Sequence, residues 1–194
     1  MNRVVRFLML AAICPFTRPA QMSSQPPPAA QTQSSRVTAE ASPVASAVRF
    51  SLERQSKNIS AAVDEMPADK FSYRPTPAQI TFGHLVMHMA GSNFRLCAAI
   101  SGTEAPPMEE LKETDPKETL AAALKSSFDF CTQSLAKVDD SKLAEVVLTR
   151  GSFSLTRAAA MMALTNDFAD HYSAAAIYLR LNGLLPPTAQ PRKE

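Results

Sequence analysis

Residues 156–183 read TRAAAMMALTNDFADHYSAAAIYLRLNG, and this stretch decides the fold. It is rich in Ala, Leu and Met, which favour helices, and it contains no Pro and no Gly before Gly183. Gly183 provides a helix end, and Pro186 and Pro187 prevent the helix from resuming. The stretch therefore predicts a long helix over residues 156–182.

Three further helices are predicted upstream, where apolar residues recur at helical spacing. They span residues 44–65, 81–101 and 116–138. The first must end before Pro67, and the second has Thr81 as its N-cap and Gly102 as its stop. Four helices with a long connection between the second and the third predict an all-α four-helix bundle. Two short extended segments around Arg150 and Gly151 form either a small hairpin or a loop before the last helix.

The composition agrees with a helical protein and excludes one class of partner. The chain has 194 residues, no Trp, 5 Gly and 45% hydrophobic residues, which argues against a strand-rich fold. Its net charge of +2 is small and no Lys/Arg cluster stands out, so we expect no nucleic-acid partner. No G-x-S-x-G nucleophile motif is present either.

The N-terminus is predicted to be a signal segment over residues 1–20. Arg3 and Arg6 precede an apolar run that is about half the ~20 residues of a membrane span, so no span is expected in the mature chain. The sequence LAAIC resembles a lipoprotein box ending at Cys14, although Ile13 is larger than that box usually has, and cleavage after Ala20 is the alternative. We therefore expect an exported, periplasmic protein, with or without a lipid anchor; a cytoplasmic location is the alternative.

The remaining chain divides into three predicted parts. Residues 21–43 are rich in Pro, Gln and Ser and form a disordered linker, residues 44–188 form the helical domain, and residues 189–194 are a tail. Once the signal segment is removed, Cys97 and Cys131 remain, each inside a predicted helix. An exported protein could pair them, but the sequence cannot bring their Cα atoms into range, and we treat both as small core residues.

Two of the three histidines, His84 and His88, lie four residues apart on the second helix and therefore on one side of it. Relative to the apolar stripe that includes Leu85 and Met89, His88 is expected at the edge of the core and His84 nearer to solvent. A metal site at an open edge of the bundle would have this pattern. Two ordinary surface histidines would have it as well.

The last helix carries Asp167 and His171, also four residues apart, on a face shared with Leu164, Ala175 and Tyr178. A carboxylate and an imidazole within an apolar ridge are costly unless something satisfies them. Either the two side chains bond to each other, or they share a cation with His88 as the third ligand. Two His and one carboxylate leave coordination positions open, as in catalytic Zn²⁺ or non-haem divalent metal sites.

Two stretches of the chain resemble the DinB-like (DinB/YfiT) superfamily. They are FSYRPTPAQITFGHLVMHMAGSN at 71–93 and NDFADHYSAAAIYLRLNGLLPP at 166–187. The resemblance covers roughly residues 45–188, with motifs from two distant helices agreeing in order and context. It implies a four-helix bundle in which three histidines hold a divalent metal.

The resemblance carries over to particular residues. His88 matches the ligand of the second helix and His171 the second ligand of the last helix. Asp167 stands where the resemblance implies the other histidine, and Ser173 and Ala174 stand where Gly-Gln often follows the last histidine. His84, one turn from His88, is a fourth candidate ligand that would replace the missing nitrogen. The expected cofactor is Zn, Ni, Mn or Fe as a divalent ion.

The family implies a range of activities rather than one. Its members include thiol-dependent transferases and isomerases and some hydrolases. We therefore expect a metal-dependent enzyme acting on a small molecule, with Tyr172, Tyr178, Arg95 and Arg180 as candidate substrate contacts unless they are simply bundle-edge residues. The alternative is a non-catalytic bundle with a degenerate site that serves as a binding or interaction module. The resemblance also implies a homodimer.

Overall fold

The computed structural model of the chain describes residues 41–107 and 110–191. The predicted signal segment, the linker up to residue 40 and residues 192–194 of the predicted tail lie outside the described residues. Within the described ranges, no helix is both long enough and apolar enough to cross a membrane.

Four helices and one hairpin follow each other along the chain. The helices are α1 Pro43–Glu65, α2 Phe82–Ser101, α3 Lys117–Leu135 and α4 Arg157–Leu181, and the antiparallel strands are β1 Val146–Arg150 and β2 Phe153–Thr156. Short 3-10 turns lie at Ala68–Lys70, Asp140–Lys142 and Pro187–Ala189. The prediction of four helices is confirmed, and each boundary falls within about three residues of the predicted one. The hairpin interpretation of the Arg150–Gly151 turn is the correct one.

The ends of α2 and α4 follow from local side-chain and backbone chemistry. The Thr81 hydroxyl accepts a hydrogen bond from the His84 amide at 3.0 Å, and Thr156 accepts one from the Ala159 amide at 3.2 Å. Gly102 closes α2 with a φ of 72°, in the left-handed region that glycine adopts without a steric penalty. These caps set the start of the two helices that carry the candidate ligands.

All four helices contribute to one hydrophobic core. α2 packs against α3 and α4, and α1 packs against α4 and α3. Ile59, Met89, Leu124 and Leu164, one from each helix, are at most 2% exposed. Burying a side chain of this size stabilises the folded state by roughly 1.5–3 kcal/mol. This shared core holds α2 and α4 next to each other.

Cys97 and Cys131 lie in the core, as expected, and they are also paired, which the sequence left open. Cys97 on α2 and Cys131 on α3 form a disulfide with a Cα–Cα distance of 5.2 Å, and both residues are completely buried. Helical periodicity predicts which face each cysteine lies on. It does not predict that the two faces meet at the same height, and that is the property that permits the bond.

Candidate metal centre

His88, Asp167 and His171 come together between α2 and α4. Each offers a ligand atom, and these atoms all lie within 4.8 Å of one another. Asp167 and His171 are one turn apart on α4, and the ring of His88 stacks on that of His171 with 4.9 Å between centroids and 24° between planes. The cluster therefore depends on two separate helices, which the hydrophobic core packs together.

The ring of His171 is held by its own helix. Its Nδ1 lies 2.6 Å from the backbone carbonyl oxygen of Asp167 and 3.5 Å from the Asp167 Oδ1. A carbonyl oxygen can only accept, so Nδ1 donates and carries the proton. In the neutral ring, Nε2 is then left with a free lone pair, which is the arrangement in which metal-binding histidines are usually held.

The electrostatic surroundings favour a neutral His88. Partial burial of its ring lowers its pKa from 6.5, and positive charge at His171 lowers it further, whereas Asp167 acts in the opposite direction. Weaker contributions from Arg95 and His84 also lower this pKa. Since only the neutral imidazole binds a metal, the site loses little affinity to proton competition near neutral pH.

The three residues fit a divalent ion. Two nitrogens and one carboxylate oxygen suit Zn²⁺ and the neighbouring first-row metals. Ligands at 2.0–2.2 Å from an ion lie at most about 4.4 Å from each other, so the spacing of up to 4.8 Å requires only small side-chain rotations. Asp167 and His171 are largely buried while His88 is exposed, so the cluster opens to solvent on the His88 side.

The structure does not bring His84 into this cluster. Its Nδ1 lies 3.1 Å from the Glu113 Oε2, which also accepts a hydrogen bond from the Thr81 hydroxyl at 3.0 Å. The expectation that His84 is nearer to solvent than His88 was wrong, because the connector between α2 and α3 covers His84 and leaves His88 exposed. Gly83 permits this close passage, since a Cβ there would overlap the carbonyl oxygen of Glu113. Glu113 carried no sequence signal beyond being one acid in a polar connector.

The tyrosines and arginines predicted as substrate contacts have different surroundings in the structure. The Tyr178 hydroxyl donates to the Ile80 carbonyl at 2.6 Å, and burial raises the pKa of Tyr178. The Tyr172 hydroxyl donates to Thr188 at 2.8 Å. Both tyrosines therefore tie α4 to neighbouring segments. Arg95, in contrast, is exposed and close enough to His88 to influence its pKa.

The exposed Arg180 Nη1 donates to the Ala176 carbonyl at 3.4 Å, in the last turns of α4. This contact agrees with the expectation that Arg180 faces solvent near the end of the helix. This contact does not place Arg180 beside His88, Asp167 and His171.

The described residues thus form a mostly helical protein with one acid and two imidazoles gathered between α2 and α4. A family model for the DinB superfamily matches residues 51–171, more than half of the chain. The chain therefore belongs to the DinB superfamily, and the resemblance noted in its sequence is confirmed.

Two solved structures show the same fold. A DinB-like protein of Bacillus subtilis is 16% identical with a TM-score of 0.60, covering 76% of this chain and 99% of that one. A DinB-like protein of Bacillus cereus ATCC 10987 is also 16% identical with a TM-score of 0.60, covering 73% and 95%. At this identity the likeness concerns the fold alone. No curated protein matches the chain.

Proposed function

We propose that this chain is a divalent-metal-dependent enzyme whose four helices form a DinB-like bundle and whose metal ligands are His88, Asp167 and His171. The observation that supports it is the gathering of three ligand atoms from two helices within 4.8 Å. The reaction class is that of a hydrolase or a thiol-dependent transferase, and the substrate is a small molecule.

The residues of the chain have distinct parts in this proposal. A bound Zn, Ni, Mn or Fe ion would supply Lewis acidity that lowers the pKa of a water or a thiol. The hydrogen bond from His171 to the Asp167 carbonyl orients the imidazole. The exposed side of His88 leaves room for a small molecule to approach, and Arg95 contributes a positive charge beside it.

The test is metal binding by protein purified without a histidine tag. We expect about one metal ion per chain by mass spectrometry, and a rise in melting temperature with Zn²⁺, Ni²⁺, Mn²⁺ or Fe²⁺, because a ligand of the folded state stabilises it. At 100 times its Kd, an ion adds about 2.7 kcal/mol to the free energy of unfolding. His88→Ala and His171→Ala should each abolish the binding.

His84→Ala is the matched control, since it removes an imidazole from the same helix but outside the cluster. It should bind metal as the wild type does. If the wild type binds no ion at stoichiometric level, or if His84→Ala loses binding as completely as His88→Ala, the proposal fails.

A second candidate function is a non-catalytic binding or interaction module. It is favoured by the approach of the Asp167 Oδ1 to the His171 Nδ1 at 3.5 Å, which gives the carboxylate a neighbour on its own helix without an ion. It is favoured also by the carboxylate of Asp167 at a position where the family usually has a histidine. In this case the double variant His88→Ala/His171→Ala should fold and support cellular function as well as the wild type.

We propose that the protein is exported. The Cys97–Cys131 disulfide supports this, because disulfides persist in oxidising compartments such as the periplasm and are rare in the cytosol. Cell fractionation tests the proposal: the chain should be recovered outside the cytoplasm, either lipid-anchored at Cys14 or free. Recovery only from the cytoplasm would contradict it.

We propose, further, that the protein is a homodimer. Three apolar side chains of α4, those of Met162, Ile177 and Leu181, are each more than half exposed and offer a surface for a second copy. Sedimentation velocity should show a dimer, and Ile177→Lys should convert it to a monomer.

A further inference from the structure

A cleft of about 580 Å³ lies at the end of the molecule where α2 and α3 finish and α4 begins. Its walls include Ser101 at the end of α2, Val138 after α3, and Arg157 at the start of α4. Along α4, Arg157 is 14 residues before His171, which corresponds to about 21 Å at 1.5 Å per residue. This α3–α4 cleft is therefore separate from the candidate metal centre.

Three cations from three different segments converge on the α3–α4 cleft. They are Lys137 after α3, Lys142 in the 3-10 turn and Arg157 in the first turn of α4. The one acidic residue in its walls, Asp139, already accepts hydrogen bonds from the amide and the hydroxyl of Ser141. Glu145, which pairs with Arg157, is a second acid beside the cleft, so three cations face two carboxylates and the net charge of this region is +1.

Arg157 is a buried cation that the structure compensates only in part. It is 9% exposed, and it lies at the N-terminus of α4, where the helix dipole disfavours a positive charge. Its Nη2 pairs with the half-exposed Glu145 at 3.0 Å, but its buried Nε has no hydrogen-bond partner among the described residues. Nε is itself inaccessible, so a second anion in the cleft would stabilise the guanidinium through its charge and not by a hydrogen bond to this atom.

A purely structural explanation of Lys137 is that it compensates the C-terminal carbonyls of α3. Arg49 already does this, since its Nη1 donates to the carbonyls of Leu135 at 3.4 Å and Val138 at 2.8 Å. Within residues 41–107 and 110–191, neither Lys137 nor Lys142 forms a hydrogen bond or an ion pair. Both ammonium groups are exposed, although Lys142 already has Asp139 as a neighbour: the pKa of this carboxyl is lowered by the hydrogen bonds from Ser141 and, to a smaller extent, by the charge of Lys142.

The other walls suit the body of an organic molecule. Phe130 and Val138 provide apolar surface, and the side chains of Gln133 and Thr103 add polar groups. The volume lies within the range of about 300–1,000 Å³ that small-molecule sites occupy. We propose that the α3–α4 cleft binds a small organic anion, in which a carboxylate, sulfonate or phosphate on an apolar body meets Lys137, Lys142 and Arg157. This inference does not depend on the metal-dependent function.

The experiment is a titration of the full chain followed by amide chemical shifts. The probes are benzoate and phenyl phosphate, with benzamide as the uncharged analogue and inorganic phosphate as the anion without an apolar body. We expect saturable shifts for the two organic anions at Thr103, Phe130 and Arg157, and at least tenfold weaker binding of benzamide and inorganic phosphate.

The double variant Lys137→Gln/Lys142→Gln changes two exposed side chains and should melt as the wild type does. It should bind phenyl phosphate about tenfold more weakly, because each exposed charge contributes modestly. Lys57→Gln/Lys125→Gln removes two exposed lysines elsewhere and should bind as the wild type does. Equal binding by the two double variants, equal binding of benzamide, or shifts confined to another surface would overturn the proposal. The proposal would also be overturned if the protein bound anionic phospholipid vesicles through this cleft but bound neither benzoate nor phenyl phosphate saturably.

Discussion

The imidazole rings of His88 and His171 stack face to face with 4.9 Å between their centroids, although they belong to different helices. Two protonated rings at this distance would repel each other, and positive charge at His171 indeed lowers the pKa of His88. The arrangement therefore favours the neutral form of His88, and Asp167 lies beside the two rings. The same arrangement makes the site sensitive to pH.

The metal-free protein should lose stability as the pH falls. The pKa of His88 is lower in the folded state than its ordinary value of 6.5, so the unfolded chain binds more protons on the acid side of 6.5. The free energy of unfolding should therefore rise with pH up to about 6.5 through this group, and its contribution should then be constant. Urea titrations of chelator-treated protein between pH 5 and 8 measure this, with His88→Asn showing a smaller slope. An equal slope in both proteins would contradict the assignment to His88.

Asp167 offers a sharper test of the proposed metal ligands. Asp167→His provides the histidine that the family resemblance led us to expect at this position, and it should increase the affinity for Zn²⁺ and Ni²⁺ relative to Mn²⁺, because imidazole suits the former and carboxylate the latter. Asp167→Ala should lower the affinity for every metal by at least roughly tenfold, since even residues that only support a ligand contribute that much. Isothermal titration with each ion checks both. Unchanged affinity in Asp167→Ala would remove this residue from the ligand set.

The helix boundaries and the two family motifs could be predicted because each depends on residues that are close together in the sequence. Gly183 and the prolines after it end α4, and Pro67 ends α1, by backbone restrictions that act locally. The pairing of Asp167 with His171 was predictable for the same reason, as four residues make one turn. The nearness of His88 to this pair was one of two alternatives that the residue types left open, and the family resemblance favoured it.

The features that the sequence did not predict depend on how distant segments meet. The Cys97–Cys131 bond requires α2 and α3 to be level at those two positions. The partial covering of His84 requires the connector to pass over the first turn of α2, which places Glu113 against it. The helical periodicity of apolar residues specifies neither the relative height of two helices nor the path of a polar connector.

The disulfide should be a substantial source of stability. It joins residues separated by 34 positions, and closing a loop of that length stabilises the folded state by about 3–4 kcal/mol in the chain-entropy model. Guanidinium titrations with and without a reductant should show this loss, and Cys97→Ala/Cys131→Ala should reproduce it without a reductant. Peptide mapping of the oxidised protein should recover the two cysteines in one linked pair. Recovery of both as free thiols from the native compartment would contradict the pairing.

Gly83 and Gly91 on α2 should respond in opposite directions to the same substitution. Gly83→Ala places a Cβ against the carbonyl oxygen of Glu113, so the connector must shift, at a cost of about 1–3 kcal/mol in the free energy of unfolding. Gly91→Ala meets nothing within 4 Å and removes the entropic penalty of a helical glycine, so it should stabilise the protein by about 0.5–1 kcal/mol. Denaturant unfolding measures both. If Gly83→Ala is as stable as Gly91→Ala, the connector does not pass over the start of α2, and the separation of His84 from the metal ligands loses its structural basis.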